Sequence, residues 1–172
     1  MREKWKQIAV FFISCGILIG LDQWSKFLAV NHLKGQNPIV LIEGVFELAY
    51  LENRGAAFGM LQGRQGFFFA IAVAVVIAAI FVVWRMPAKK QYIPLYCCTV
   101  AIVAGAVGNM IDRLMQGYVV DFLSFCLIHF PVFNVADCYV TIGAAALMLL
   151  VMFRYKESDF EPFSLKKKGE SL

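Results

Sequence analysis

Four apolar runs, at about residues 8–30, 67–84, 93–111 and 135–153, constrain this chain more than any other feature. Each holds about 18 to 23 residues, and a helix of that length, rising 1.5 Å per residue, crosses a hydrocarbon core of roughly 30 Å. The composition agrees, because 60% of the 172 residues are hydrophobic and the mean hydropathy is +0.70, where under half would be usual for a soluble domain. An α-helical integral membrane protein with four transmembrane helices in one domain, residues 1–172, is expected. The net charge of +4 does not point to nucleic acid, since the basic residues sit in short clusters beside the apolar runs.

Those clusters orient the chain. Arg2, Lys4 and Lys6 form one, Arg85, Lys89 and Lys90 a second, and Arg154, Lys156, Lys166, Lys167 and Lys168 a third. They occupy alternate connections, so both termini are expected in the cytoplasm, with a polar, mobile cytoplasmic tail over 154–172. The first run begins like a secretory signal peptide. It lacks a small-x-small cleavage site and continues through Asp22-Gln23-Trp24-Ser25-Lys26, so an uncleaved span is expected, with Trp24 and Phe27 as interface anchors.

The two outer connections carry other signals. Ile39–Ile42 and Val45–Leu51 are β-prone around a Glu43-Gly44 turn, which predicts a hairpin in an outer β region at about 39–52. Alternation puts Phe46, Leu48 and Tyr50 on one face, and so apolar a ribbon suits the membrane surface. Asn53-Arg54-Gly55-Ala56-Ala57-Phe58-Gly59 reads as a loop leading into a short helix, and Tyr118–Phe122 as a short strand.

Ionisable groups beside these runs need a reason, because each costs roughly 3 kcal/mol in the middle of a membrane helix and therefore faces protein or water. Asp22 and Lys26, four apart with the acid first, read either as a helix-end ion pair with Lys26 reaching outward or as substrate contacts. Ala101, Gly105, Gly108 and Asp112 recur at helical spacing, a small-residue face that leads to a carboxylate. Asn134 and Asp137 have the spacing of a helix-capping pair, Asp121 reads as a turn acid, and Asp112 as a partner of Arg113. Yet the topology brings Asp22, Asp112, Asp121 and Asp137 to one membrane level. Two carboxylates held close share a proton, leaving one as a base for water and the other as an acid for a carbonyl oxygen. Asp121 and Asp137 are therefore expected to form a catalytic pair at the outer surface. Ser25, Ser124, His32 and His129 lack a convincing triad context. No loop has a recognisable metal-ligand spacing, and Cys15, Cys97, Cys98, Cys126 and Cys138 are expected as free thiols.

Taken in order, several motifs resemble those of lipoprotein signal peptidase, or signal peptidase II, a family of bacterial membrane aspartyl endopeptidases. They are Asp22-Gln23 with Lys26, Asn53 with Gly55-Ala56-Ala57-Phe58-Gly59, Gly108-Asn109 with Asp112-Arg113, Val120-Asp121-Phe122, and Phe133-Asn134 with Ala136-Asp137. The resemblance covers nearly the whole chain. It implies four helices with an extracytoplasmic β-cradle and a short outer helix in the bacterial cytoplasmic membrane. The implied reaction cleaves diacylglyceryl-modified prolipoproteins just before the lipidated cysteine, with no cofactor and no metal. Asp121 and Asp137 would be the dyad, with Asn53, Asn109, Arg113 and Asn134 as supporting polar residues and Asp22 and Asp112 shaping the site. Lys26, Gly55 and Ala136 join the substrate-binding or supporting set. The implied partners are the lipid-modified precursor and membrane lipids, around a monomer. A proton-coupled transporter would instead place ionisable groups at mid-membrane in repeated halves, and a scaffold would tolerate loss of either aspartate.

Overall fold

The computed structural model describes residues 1–55, 65–128 and 130–164. The elements run α1 (Arg2–Leu33), β1 (Ile39–Ile42), β2 (Phe46–Asn53), α2 (Gln65–Arg85), a 3₁₀ turn (Lys90–Tyr92), α3 (Ile93–Gln116), β3 (Val119–Phe125), α4 (Val135–Phe153) and a second 3₁₀ segment (Glu157–Phe163). All four α-helices are long and apolar enough to cross a membrane. The short outer helix expected after Asn53 falls outside the described residues.

Lipid tails are as apolar as leucine, so helices in a bilayer are held by close packing rather than by escape from water. α3 is the central helix, packed on α1, α2 and α4. A Cβ on Gly105 would run into the Ala136 carbonyl and Val140 of α4, and one on Gly108 would lie 2.6 Å from the Asp22 carboxylate of α1. The small-residue face thus lets two neighbours approach α3 at its functional end. Further along, Phe11 and Cys15, Ala79 and Val83, and Val100 and Val103 form a seam shared by α1, α2 and α3. The outward faces carry exposed Phe12, Ile17, Phe27, Ile77, Ile142 and Met152, where a soluble helix would be polar.

The hairpin forms with Gly44 at φ 68° in its turn, and β2 also pairs antiparallel with β3, so the sheet order is β1-β2-β3. Both β2 and β3 reach further than expected. Phe46 pairs with Phe125 and Asn53 with Val119, which gives the ends of each strand a partner that an isolated hairpin lacks. A bulge between Leu48 and Leu51 interrupts the simple alternation. Leu48 and Tyr50 pack with Ala29, Leu33, Val120 and Phe122, which seats the sheet on the end of α1. All four residues of β1 are exposed and apolar.

α3 ends at Gly117, whose φ of 80° turns the chain into β3 while its N–H donates to the Arg113 carbonyl. The expectation of a mobile tail does not hold for residues 155–163. Tyr155 and Phe163 pack with Met86, Tyr92 and Leu95, and the Tyr92 hydroxyl donates to the Asp159 carbonyl at 2.8 Å. Residues 165–172 lie outside the described residues.

Candidate active site

α1 and α3 end, and α4 begins, at the same end of the bundle, beside β2 and β3. Asn134 caps α4: its Oδ1 accepts the Asp137 N–H at 3.0 Å, and Asp137 Oδ2 accepts the Asn134 N–H at 3.2 Å. The capping pair is real, and it leaves Asp137 Oδ1 free to accept from the Asn109 amide at 2.8 Å. On β3, Asp121 is 1% exposed and accepts from the Asn134 amide at 2.6 Å and from the Asn53 amide at 2.8 Å. The β2–β3 register is what brings Asn53 beside it. Asn134 therefore serves both carboxylates, one through its backbone and the other through its side chain. Asp121 and Asp137 line one cavity of about 490 Å³, with Asn53, Asn109 and Arg113 among its polar wall. Burial pushes the Asp121 carboxyl up to about 6; the amide of Asn53 opposes the rise, and the charge of Asp137 adds to it.

Behind this cavity lies a second cluster. Lys26 neither reaches outward nor lines the cavity; it is 3% exposed, with its ammonium 2.9 Å from Asp22 and 3.1 Å from Asp112. Asp112 does not pair with Arg113, because consecutive helix residues do not face each other. Asp22 also accepts the Ala136 N–H at 2.9 Å, and Asp112 the Val120 N–H at 3.2 Å, so the ion cluster fixes the start of α4 and of β3. Lys26 donates to Asn109 Oδ1 at 3.0 Å, which connects the two clusters. Arg113 donates to the carbonyls of Asn109 and Gly55, and its guanidinium lies 4.5 Å from the Phe68 ring centroid. The Gly55 N–H in turn donates to Asn53 Oδ1 at 2.9 Å, which orients the amide that serves Asp121.

The family described as Signal peptidase (SPase) II matches residues 11–153. The chain belongs to the signal peptidase II family. It is 45% identical to the lipoprotein signal peptidase of Brevibacillus brevis over 148 residues, covering 86% of this chain and 98% of that one. It is 42% identical to that of Clostridioides difficile over 137 residues, covering 80% and 90%. A solved bacterial membrane enzyme superposes with a TM-score of 0.74 at 27% identity, covering 93% of this chain and 94% of the other. A second gives 0.72 at 28% identity, covering 86% and 96%. The chain is a multi-pass bacterial membrane protein.

Within this signal peptidase II, the structure gathers every singled-out polar residue at one end but divides them between two layers. Asp121, Asp137, Asn53, Asn109 and Arg113 reach the cavity wall, while Asp22, Lys26, Asp112 and the fully buried Asn134 stand behind it. Gln23 was not singled out as a site residue, although its amide reaches Asp112 Oδ1 at 2.8 Å and the Gly108 carbonyl at 3.2 Å. Its place beside Asp22 in the first motif was the available signal. Phe68, Phe133 and Cys138 also line the cavity, and an apolar wall leaves no mark in an apolar sequence. The Ser25 hydroxyl donates to the Asp22 carbonyl, and the Ser124 hydroxyl lies beside the Cys126 thiol. All five cysteines are free. His129 lies outside the described residues.

Proposed function

We propose that this signal peptidase II removes signal peptides from diacylglyceryl-modified prolipoproteins, cutting just before the lipidated cysteine, with Asp121 and Asp137 as its catalytic dyad. One observation carries the reading: both carboxylates line the same cavity and take their hydrogen bonds there from neutral amides. Amides hold the carboxyls in place without neutralising them, and burial raises the Asp121 carboxyl to about 6, so the pair keeps one proton between them up to about that pH. The ionised member takes a proton from water as the water oxygen bonds to the scissile carbonyl carbon. The protonated member donates to the carbonyl oxygen, where charge develops. The tetrahedral intermediate then collapses, the C–N bond breaks, and a carboxyl protonates the leaving amine. The water supplies a hydroxyl to one product and a proton to the other, and the dyad returns to its starting state.

Other features fit the substrate. A groove of about 340 Å³ runs beside the cavity, lined by Phe68, Phe69, Ala72, Ala106, Met110 and Leu114, and shares Phe68 and Arg113 with it. It suits an acyl chain whose peptide enters the polar cavity. The alternating basic clusters support a topology with the dyad at the outer surface and both termini in the cytoplasm. The enzyme works as a monomer, since one chain supplies the dyad and its donors.

The test is incubation of purified protein with a lipid-modified precursor and with the same precursor lacking lipid, followed by sizing and end-sequencing of the products. The lipidated form is cut in front of the modified cysteine and the unmodified form is left whole, with or without chelator. Cutting of both at equal rates, or loss of activity on chelation that added divalent metal restores, would overturn the reading. Single cysteines at Gln36 and Ser164, in a background without native cysteines, test topology by labelling from opposite faces.

A further inference from the structure

A second kind of cavity lies at the far end of the bundle from the dyad, where α1 begins, α2 ends and α3 begins. It measures about 270 Å³, and its lining includes Gln7, Pro87, Lys89, Lys90, Ile93 and Tyr96. Nothing in peptide cleavage at the other end of the helices uses it.

Three observations mark it as a ligand site. Gln7 Oε1 is buried without a hydrogen-bond partner among the described residues, although its backbone carbonyl accepts from the Tyr96 hydroxyl at 3.3 Å. A buried acceptor without a donor is unfavourable, and a small turn of the terminal amide brings it to a hydroxyl in the cavity. Next, neither Lys89 nor Lys90 ion-pairs with a carboxylate among the described residues. The neighbouring Lys4 is already occupied, with its ammonium donating to the Met86 carbonyl. Last, Trp5 and Trp84 meet edge to face at this end, 62% and 47% exposed, as aromatic side chains do at headgroup depth.

We propose that this cavity binds the headgroup of an anionic glycerophospholipid bearing a free hydroxyl, of the phosphatidylglycerol type. The phosphate sits between the Lys89 and Lys90 ammonium groups, and the headgroup hydroxyl donates to Gln7 Oε1. A lipid phosphodiester has no proton to donate, so the phosphate satisfies the lysines and leaves Gln7 to the hydroxyl. Exposed Ile93 continues from the cavity toward the acyl region. A bound headgroup joins α1 to the α2–α3 connection, which should raise the thermal midpoint.

Native mass spectrometry of the delipidated full-length protein tests this with four probes: phosphatidylglycerol, phosphatidylmethanol, phosphatidylcholine and free glycerol phosphate. Phosphatidylglycerol should bind about tenfold more tightly than phosphatidylcholine, a preference built from two lysines near the surface. Phosphatidylmethanol, anionic but without a hydroxyl, should fall between them. K89Q/K90Q should erase the preference for anionic lipid, and Gln7→Leu should bring phosphatidylglycerol down to phosphatidylmethanol. Precursor cleavage in detergent should be unchanged in each variant, which shows that it is folded. Equal binding of phosphatidylglycerol and phosphatidylcholine, or a preference that survives K89Q/K90Q, would overturn the proposal. Free glycerol phosphate competing as well as the whole lipid would replace the lipid with a soluble phosphate.

Discussion

Two pairs of aspartates, all buried except the half-buried Asp137, lie near one end of this bundle, and their surroundings treat them in opposite ways. Asp22 and Asp112 share the Lys26 ammonium, with Gln23 and the N–H groups of Ala136 and Val120 filling the remaining acceptor sites. Asp121 and Asp137 ion-pair with no cation among the described residues; Asn53, Asn109 and Asn134 supply their donors. The first pair holds one cation between its two carboxylates and ties three helices to the sheet. In the second, burial raises the Asp121 carboxyl and the charge of Asp137 adds to the rise. Asn109 joins them, accepting from Lys26 and Asn134 while donating to Asp137, so the rigid cluster positions the chemical one. Like residues at one end of the bundle thus form a structural weld in one case and a cavity-lining pair without an ion-paired cation among the described residues in the other.

The largest effect should come from removing a carboxyl of the second pair. Asp121→Asn or Asp137→Asn should slow precursor cleavage on the order of 10³-fold or more, and the double variant should be scarcely slower, because the pair acts as a unit. The folded state should stay within about 1 kcal/mol of wild type, since relief of charge is offset where the new amide turns a donor toward the Asn53 or Asn134 amide. The first pair should answer in the reverse sense. Lys26→Met leaves two carboxylates facing each other without their cation and should destabilise by about 3–5 kcal/mol, read from the unfolding midpoint in detergent. A silent Lys26→Met would erase the contrast between the pairs.

A smaller effect sharpens the contrast through pH. The folded carboxyl of Asp121 titrates at about 6, above its ordinary 3.8, so its ionisation is disfavoured by folding. The stability it contributes is complete below 3.8 and is lost as pH rises through about 6. Asn53→Ala removes a donor that favours the ionised form, so it should move the alkaline limb of kcat/KM upward by roughly half to one pH unit, with only a modest loss at the optimum. The smallest effect belongs to the exposed Lys34–Glu52 pair, 2.9 Å apart beside the sheet. Lys34→Ala should barely move the unfolding midpoint and should leave the pH profile unmoved.

Much of this was legible in the sequence because polar residues stand out against hydrocarbon. The capping spacing of Asn134 and Asp137, the small-residue face of α3 and the hairpin around Gly44 all follow from local pattern. What escaped depends on distant partners. The second half of β3, Leu123–Phe125, was missed because it is held by pairing with Leu48, Glu47 and Phe46, partners far away in the sequence. Lys26 has an acid four residues earlier, which hid the second acid on another helix. The tail reads as polar by average, yet Tyr155 and Phe163 are enough to fold residues 155–163 back onto the bundle.

The shared proton itself is the most direct target. Infrared titration of the purified protein can follow the C=O stretch of protonated carboxyls in wild type, Asp121→Asn and Asp137→Asn. The amide-held pair predicts a protonated carboxyl in wild type that disappears in step with the alkaline limb of cleavage. In Asp137→Asn the Asp121 carboxyl should lose its proton at lower pH than in wild type, because the charge of its twin is gone while its burial remains. A wild-type enzyme fully active with both carboxyls ionised, and spectra unchanged by either substitution, would contradict it.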